Sequence, residues 1–334
     1  MSNYHLLQYI NNSALSYINP EEGGNPGKYR TQILGETERK NESYFTLGTN
    51  LHFIFLENIE PVIVKSYPSE VVKGILDQVI GKLKYAISKS LTPLSIKIED
   101  YTTDLVKIAR TEKYQNKWGD PAVAKEILKR GSEYWNIILT AGDVPIVTEK
   151  QHALIMSIRA QLALRPAIQE LLSTKKEEHI EYFTELDVIW EEHYTGNKMK
   201  CKSKLDRVRL DHKSKTFSIR DFKSTGKPLE SFSTSFEMYR YYRQIKFYED
   251  AFMFELKKRG LDGYRPGQHF IVAAETGAAA RMQSFIVTTP FLFKGDLEIE
   301  RLLKRIDTHT QESQWLFSIE ETMHEHFSLI PNSY

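Results

Sequence analysis

Between residues 180 and 225 apolar and polar side chains alternate in three successive runs, and this pattern restricts the fold more than any other. The runs are "EYFTELDVIWEEHY", "KMKCKSKLDRVRLD" and "TFSIRDFKS", linked by "TGN" and "HKSK". Period-two alternation marks strands with one face in a core, and the two links are turn signals. Downstream, a long helix is expected from about Phe232 to Arg259, ended by Gly260 where a helix C-terminal glycine belongs. "QHFIVAAE" and "MQSFIVTT" read as two further strands, with "AETGAAAR" as their hairpin connection rather than a phosphate loop. Closing helices are expected over Pro290 to Arg305 and Gln311 to Phe327. The sum is an α/β fold, a mixed central sheet flanked by helices.

The first half reads as mainly helical. Asn11 to Ile18 precedes the loop "NPEEGGNPGK", and "YFTLGTNLHFIFLE" follows. Val72, Ile75, Leu76, Val79, Ile80 and Leu83 recur at helical spacing within a helix expected over Ser69 to Ser88. Further helices are expected near Asp100 to Glu112, Pro121 to Leu139 and Thr148 to Ser173. No linker, repeat or low-complexity tract interrupts the 334 residues. One domain is expected over 1–334, with 1–175 as its helical part and 176–334 as its α/β core.

A hydrophobic content of 41% with 12% aromatics is enough for a packed core. The single cysteine, Cys201, excludes a disulfide framework and any cluster of cysteine ligands. No apolar run reaches membrane-spanning length and the first residues lack a signal-sequence pattern, so a cytoplasmic protein is expected. Net charge is +1, yet eleven Lys and Arg against three Asp lie between Lys198 and Lys227. Such a run is either a solvated strand face or a site for a polyanion.

With "HKSK" as a four-residue turn, Leu210 faces Phe217 and Val208 faces Ile219, so Asp206 comes opposite Asp221. Opposed like charges destabilise a sheet unless a cation lies between them. The candidates are Lys223, one step along the same face, and a metal ion. Two carboxylates with water and substrate oxygens suit Mg²⁺ or Mn²⁺. A lysine beside such an ion can hold an attacking water or stabilise a phosphoryl transition state.

An Asp followed on the next strand by Asp-x-Lys resembles the PD-(D/E)XK nuclease superfamily, through Asp206, Asp221 and Lys223. Further segments resemble exonucleases of the exonuclease VIII (RecE-like) type and, in one case, RecB-like nucleases. "LGTNLHFIFLE" is similar to their G-T-A-L-H-x-x-x-L-E segment and sets His52 at the histidine. "TELDVIWEEHYTGNKMKCKSKLDRV" is similar to their run upstream of the first Asp and contributes Glu185. "YRQIKFYEDAF" matches the Q-x-x-x-Y signature of RecB-like nucleases through Gln244 and Tyr248. "NNSALSYI" resembles the serine-containing opening segment. Leu205 stands where the superfamily has its naming proline, and Lys204 where an arginine is common.

The resemblance implies a restriction-endonuclease-like core and a single nuclease domain. It implies a Mg²⁺- or Mn²⁺-dependent exodeoxyribonuclease acting on linear duplex DNA ends in recombination or repair, of phage or prophage origin. His52, Glu185, Asp206, Asp221 and the carbonyl of Phe222 would hold metal. Lys223 would position and activate water, supported by Gln244 and Tyr248. Lys204, Arg207, Lys227 and Arg240 are expected on the DNA backbone. A single-strand annealing partner and a toroidal homo-oligomer are implied as well. The rivals are a sequence- or structure-specific endonuclease of this fold and a non-catalytic DNA-binding protein. "YRYYRQ" could stack bases or grip phosphates, or simply pack a helix.

Overall fold

The structure, a computed structural model, describes residues 9–33, 43–89, 96–175, 177–313 and 315. Its contacts divide the chain into two compact units, Met1–Lys40 with Gln161–Tyr334, and Asn41–Ala160. Along the chain, α1 (Asn12–Ile18) and α2 (Pro26–Ile33) open the first unit. The second unit holds α3 (Ser43–Leu56), β1 (Val62–Val64), α4 (Glu70–Lys89), α5 (Thr102–Thr111), α6 (Asp120–Ala141), β2 (Ile146–Thr148) and most of α7 (Glu149–Ala163). Val72, Ile75, Leu76 and Val79 of α4 pack on Leu105 and Ile108 of α5 and on Val123, Ile127 and Trp135 of α6. The helical periodicity of α4 thus faces a core of its own. β1 and β2, a short parallel pair, were not expected.

The first unit resumes with α8 (Pro166–Leu172), β3 (Ile180–Glu191), β4 (Lys200–Asp211), β5 (Thr216–Thr225), α9 (Phe232–Met238), α10 (Tyr241–Lys258), β6 (Arg265–Pro266), β7 (His269–Glu275), β8 (Met282–Val287) and α11 (Thr289–Gln311). The sheet runs β3-β4-β5-β7-β8, with β6 beside the start of β5. Its β5–β7 pair is parallel and the other pairs along that path are antiparallel. This is the expected mixed sheet flanked by helices, with β5 at its centre. α10 covers one face: Phe252 meets Phe183 and Phe217 at 5.5 and 4.9 Å, and Phe247 meets Trp190 at 4.8 Å. α8 serves the other face, where its last carbonyls accept from two buried arginines. Arg220 donates to Glu170 O and Leu171 O, and Arg207 to Leu172 O. Cations suit a helix C-terminus.

Three helix boundaries differ from expectation. The segment Thr148 to Ser173 is two helices, because Pro166 drives Arg165 out of helical backbone, to φ −128° and ψ 71°. The segment Phe232 to Arg259 breaks at Tyr239 and Arg240, where Arg240 has φ 53°; its end is as expected, with Gly260 at φ 70°. α11 continues through residues 306–311 without the expected interruption, and the closing helix expected over Gln311 to Phe327 lies largely outside the described residues.

The opening segment is held down by one buried arginine. Arg243 of α10 donates to Glu22 Oε2 at 2.5 Å, to Glu298 Oε1 at 3.1 Å and to Ser16 Oγ at 2.7 Å. Burial works against the charge on Glu22, but Arg243 outweighs it and holds that carboxyl below its usual range. Between α1 and α2 the chain folds back so tightly that a Cβ on Gly24 would lie 2.5 Å from Ser16 O and 2.6 Å from Asn19 N. Only glycine fits there without backbone movement.

Candidate functional site

The β4–β5 hairpin has the register expected from the sequence, with Leu210 opposite Phe217 and Val208 opposite Ile219. The ladder then stops at Arg207 and Arg220, so Asp206 and Asp221 are not the expected ladder pair. The strands part at this point, and the amide of Phe222 donates instead to Asp206 Oδ2 at 2.8 Å. The side of β4 that β5 leaves is taken up by Ile10, which receives from Lys202 N at 2.7 Å and donates to Lys200 O at 3.1 Å.

A paired kink accompanies the parting. On β3 and β4 the register pairs Thr184 with Arg207 and Leu186 with Leu205, leaving Glu185 and Asp206 opposite one another but outside the ladder. Glu185 has φ 52°. Both strands change phase here. Phe183 faces α10 before the kink, while Val188 and Trp190, of opposite parity, are buried after it. On β4, Val208 and Leu210 lie in the same core as Leu205 and Cys201. One residue in each strand thus lies outside the ladder and shifts the side-chain alternation, as bulges do beside sites.

Glu185 and Asp206 are thus opposed on β3 and β4 just where β5 leaves the ladder, and Asp206 reaches the backbone of β5 beside Asp221. Asp221 is 1% exposed, and its Oδ2 is 2.6 Å from Lys223 Nζ. Burial works against the lysine charge, but Asp221 and then Asp206 outweigh it and hold the ammonium above its usual range. The same ammonium lies 5.3 Å from the ring centre of Tyr241, the first residue of α10. Burial, opposed by Lys223, raises the Tyr241 phenol. Gln244 and Tyr248 follow Tyr241 at i+3 and i+7, on one side of the helix, and Gln244 Nε2 donates to Tyr248 Oη at 2.7 Å. Glu185 is ion-paired with Lys204. His52 belongs to the other compact unit, on α3, half-buried and edge-on to Phe53.

The expected basic patch is corrected by burial. Arg207, 1% exposed, lies inside the protein on Leu172 O and cannot meet a DNA backbone. Arg220 and Lys202 are buried too. Arg240 is half-buried, its guanidinium donating to Tyr242 Oη at 2.7 Å and Glu21 Oε2 at 3.0 Å. Lys227 is exposed, just beyond the end of β5. Sequence reasoning missed Tyr241 as a neighbour of Lys223. It lay inside "YRYYRQ", but only the helix break shows which of those rings turns to the sheet.

The carboxylates of Asp206 and Asp221 are hard oxygen donors of the kind that divalent cations take, and an ammonium already lies on Asp221.

No family model matches the chain, and no curated protein matches it. Among solved structures it is similar to a proposed exonuclease of Eubacterium rectale, at 13% identity and a TM-score of 0.36, covering 89% of this chain and 97% of that one. It is also similar to the protein SSO0001, at 14% identity and a TM-score of 0.27, covering 76% and 93%. No helix among the described residues is long and apolar enough to cross a membrane.

Proposed function

We propose that the chain is a metal-dependent deoxyribonuclease of the PD-(D/E)XK type that degrades linear duplex DNA from its ends. One observation carries this reading: Asp206, Asp221 and Lys223 meet where β4 and β5 part, two carboxylates around one cation. The sequence resemblance supplies the reaction class. Asp206, Asp221 and the Phe222 carbonyl would hold Mg²⁺ or Mn²⁺, with Glu185 beside them. His52 enters as a ligand on the resemblance alone. A divalent ion held there would supply charge neutralisation for the scissile phosphate.

Lys223 beside these carboxylates would position and activate the attacking water or stabilise a phosphate oxygen. Water oxygen bonds to phosphorus and gives up a proton to solvent, the ester bond to the departing nucleotide breaks, and the departing oxygen takes up a proton from solvent. Tyr241 shields the ammonium from bulk water, and the Gln244–Tyr248 pair continues that wall. Lys204, held on Glu185, and the exposed Lys227 are the backbone contacts within this proposal. A role in recombination or repair with an annealing partner, and a ring-shaped oligomer, belong to the same reading.

The test is cleavage of end-labelled linear and covalently closed circular duplexes in Mg²⁺ or EDTA, beside Asp221→Ala. Mg²⁺-dependent loss of linear DNA alone, abolished by the substitution, is the expected result. Cut circles would make the protein an endonuclease. DNA bound but uncut in Mg²⁺ and Mn²⁺ would make it a non-catalytic binding protein.

A further inference from the structure

The run "YRYYRQ" builds a second feature beside Lys223, and its meaning rests on the nuclease reading above. Four aromatic rings form a column: Phe285 on β8, Phe232 at the start of α9, Tyr241 at the start of α10, and Tyr239 between the two helices. Successive ring centres are 4.5, 5.9 and 5.7 Å apart, and successive planes are inclined by 21°, 26° and 33°. The first two pairs are offset stacks and the third, Tyr239 on Tyr241, is tilted. Burial is greatest at Phe232, 2% exposed, and falls on the far side through half-buried Tyr241 to Tyr239 at 52%, while Phe285 at the other end is half-buried. The inner rings are fixed in the core and the last one faces solvent.

The backbone is bent to achieve this. In an unbroken helix, residues 239 and 241 would point about 200° apart and could not stack. Arg240 takes φ 53° and ψ 42° instead, a left-handed conformation that costs a non-glycine residue on the order of 1 kcal/mol. Its guanidinium is anchored on Tyr242 and Glu21. Such strain persists only where surrounding contacts hold it. The column also passes the candidate site. Lys223 Nζ is 5.3 Å from the Tyr241 centre, which caps its separation from the Tyr239 ring at about 11 Å. A nucleotide and its neighbour cover that span. Glu237, two residues before Tyr239, is ion-paired with Lys294 at 2.6 Å.

We infer that Tyr239 is a stacking platform for a nucleobase of the DNA end whose phosphate lies at Asp206, Asp221 and Lys223. The column presents a preformed aromatic face on which the next ring in the series is a base. Every base has a π-face, so the platform is indifferent to sequence but requires an unpaired or frayed terminal base. Arg240 is a positioning residue for it.

The experiment uses the full chain with Asp221→Asn in Mg²⁺, expected to bind without cutting, and adds Tyr239→Ala or Tyr239→Phe. The DNA is a duplex carrying 2-aminopurine at each of the last three positions of one end in turn. Quenching at one position is expected, lost with Tyr239→Ala and kept with Tyr239→Phe. End affinity should weaken roughly tenfold with alanine and stay nearly unchanged with phenylalanine. An abasic nucleotide at the quenched position should weaken binding by the protein that retains Tyr239 and leave the alanine variant unaffected. The first arm of this comparison uses only the protein that retains Tyr239, so it does not depend on how well the alanine variant folds. Unchanged quenching and affinity in Tyr239→Ala would overturn the platform while leaving the nuclease reading intact. Failure of every version to bind DNA would overturn both.

Discussion

Lys223 is the residue on whose charge the candidate site turns. Burial alone pushes a lysine towards its neutral form, yet Asp221 at 2.6 Å and Asp206 behind it raise its pKa above the ordinary value. A raised lysine pKa means stability that is fully present below the unfolded-state value and is lost only as pH climbs through the folded one. Replacing the ammonium by Lys223→Met leaves the buried Asp221 carboxylate near Asp206 without its cation. Removing one partner of a buried pair costs about 3 kcal/mol. Urea denaturation should show a deficit of that order for Lys223→Met, constant across neutral pH and shrinking only above about pH 10.5. Added Mg²⁺ should restore part of it in the variant. A deficit that already fades near neutral pH would mean that Lys223 is not held as an ammonium by its neighbours.

At the scale of elements, the paired kink in β3 and β4 decides where the carboxylates point, and Glu185 bears its strain. In an ordinary strand alanine is preferred to glycine by about 0.5–1 kcal/mol. At φ 52° the order should reverse: Glu185→Gly should be more stable than Glu185→Ala by about 1 kcal/mol, although both remove the same carboxylate. Thermal or urea denaturation of the two variants decides it, and alanine at least as stable as glycine would mean that the kink relaxes freely. Much of this sheet was legible: the strands, the "HKSK" turn, the register of Leu210 on Phe217, and the stop at Gly260. The kink was also written in the sequence, as a change of parity between Phe183 and Val188, and again between Leu205 and Val208. A reading that looks for alternation smooths over one slipped residue in each strand. Other features had no local sign. Nothing in Tyr239 or Arg240 marks a helix end; the break is set by distant partners, Glu21 and the stacked rings. Arg207 and Arg220 look like surface charges because their acceptors, the last carbonyls of α8, are remote in sequence.

For the whole molecule, the burial of Lys202, Arg207 and Arg220 changes how DNA could be held. The cations left exposed do not share one surface. Lys213 and Lys215 lie in the hairpin turn, whereas Lys198 and Lys200 lie at the other end of β4, roughly 35 Å away at strand rise. Asp221 is about 20 Å from the turn by the same measure, while Lys227 follows Lys223 by a single strand end and loop. A net charge of +1 gives no long-range attraction to compensate, so phosphate contacts must be few and close to the site. Lys227→Ala should therefore weaken binding of linear duplex ends and make the salt dependence shallower by about one phosphate, a slope change of roughly 0.9 in log K against log salt. The double substitution Lys213→Ala with Lys215→Ala should leave both affinity and slope nearly unchanged. Fluorescence anisotropy with an end-labelled duplex across a salt series measures both quantities. If the turn lysines, rather than Lys227, carried the slope, DNA would lie along the hairpin and away from Asp206, Asp221 and Lys223, and that constellation would lose its claim to the scissile phosphate.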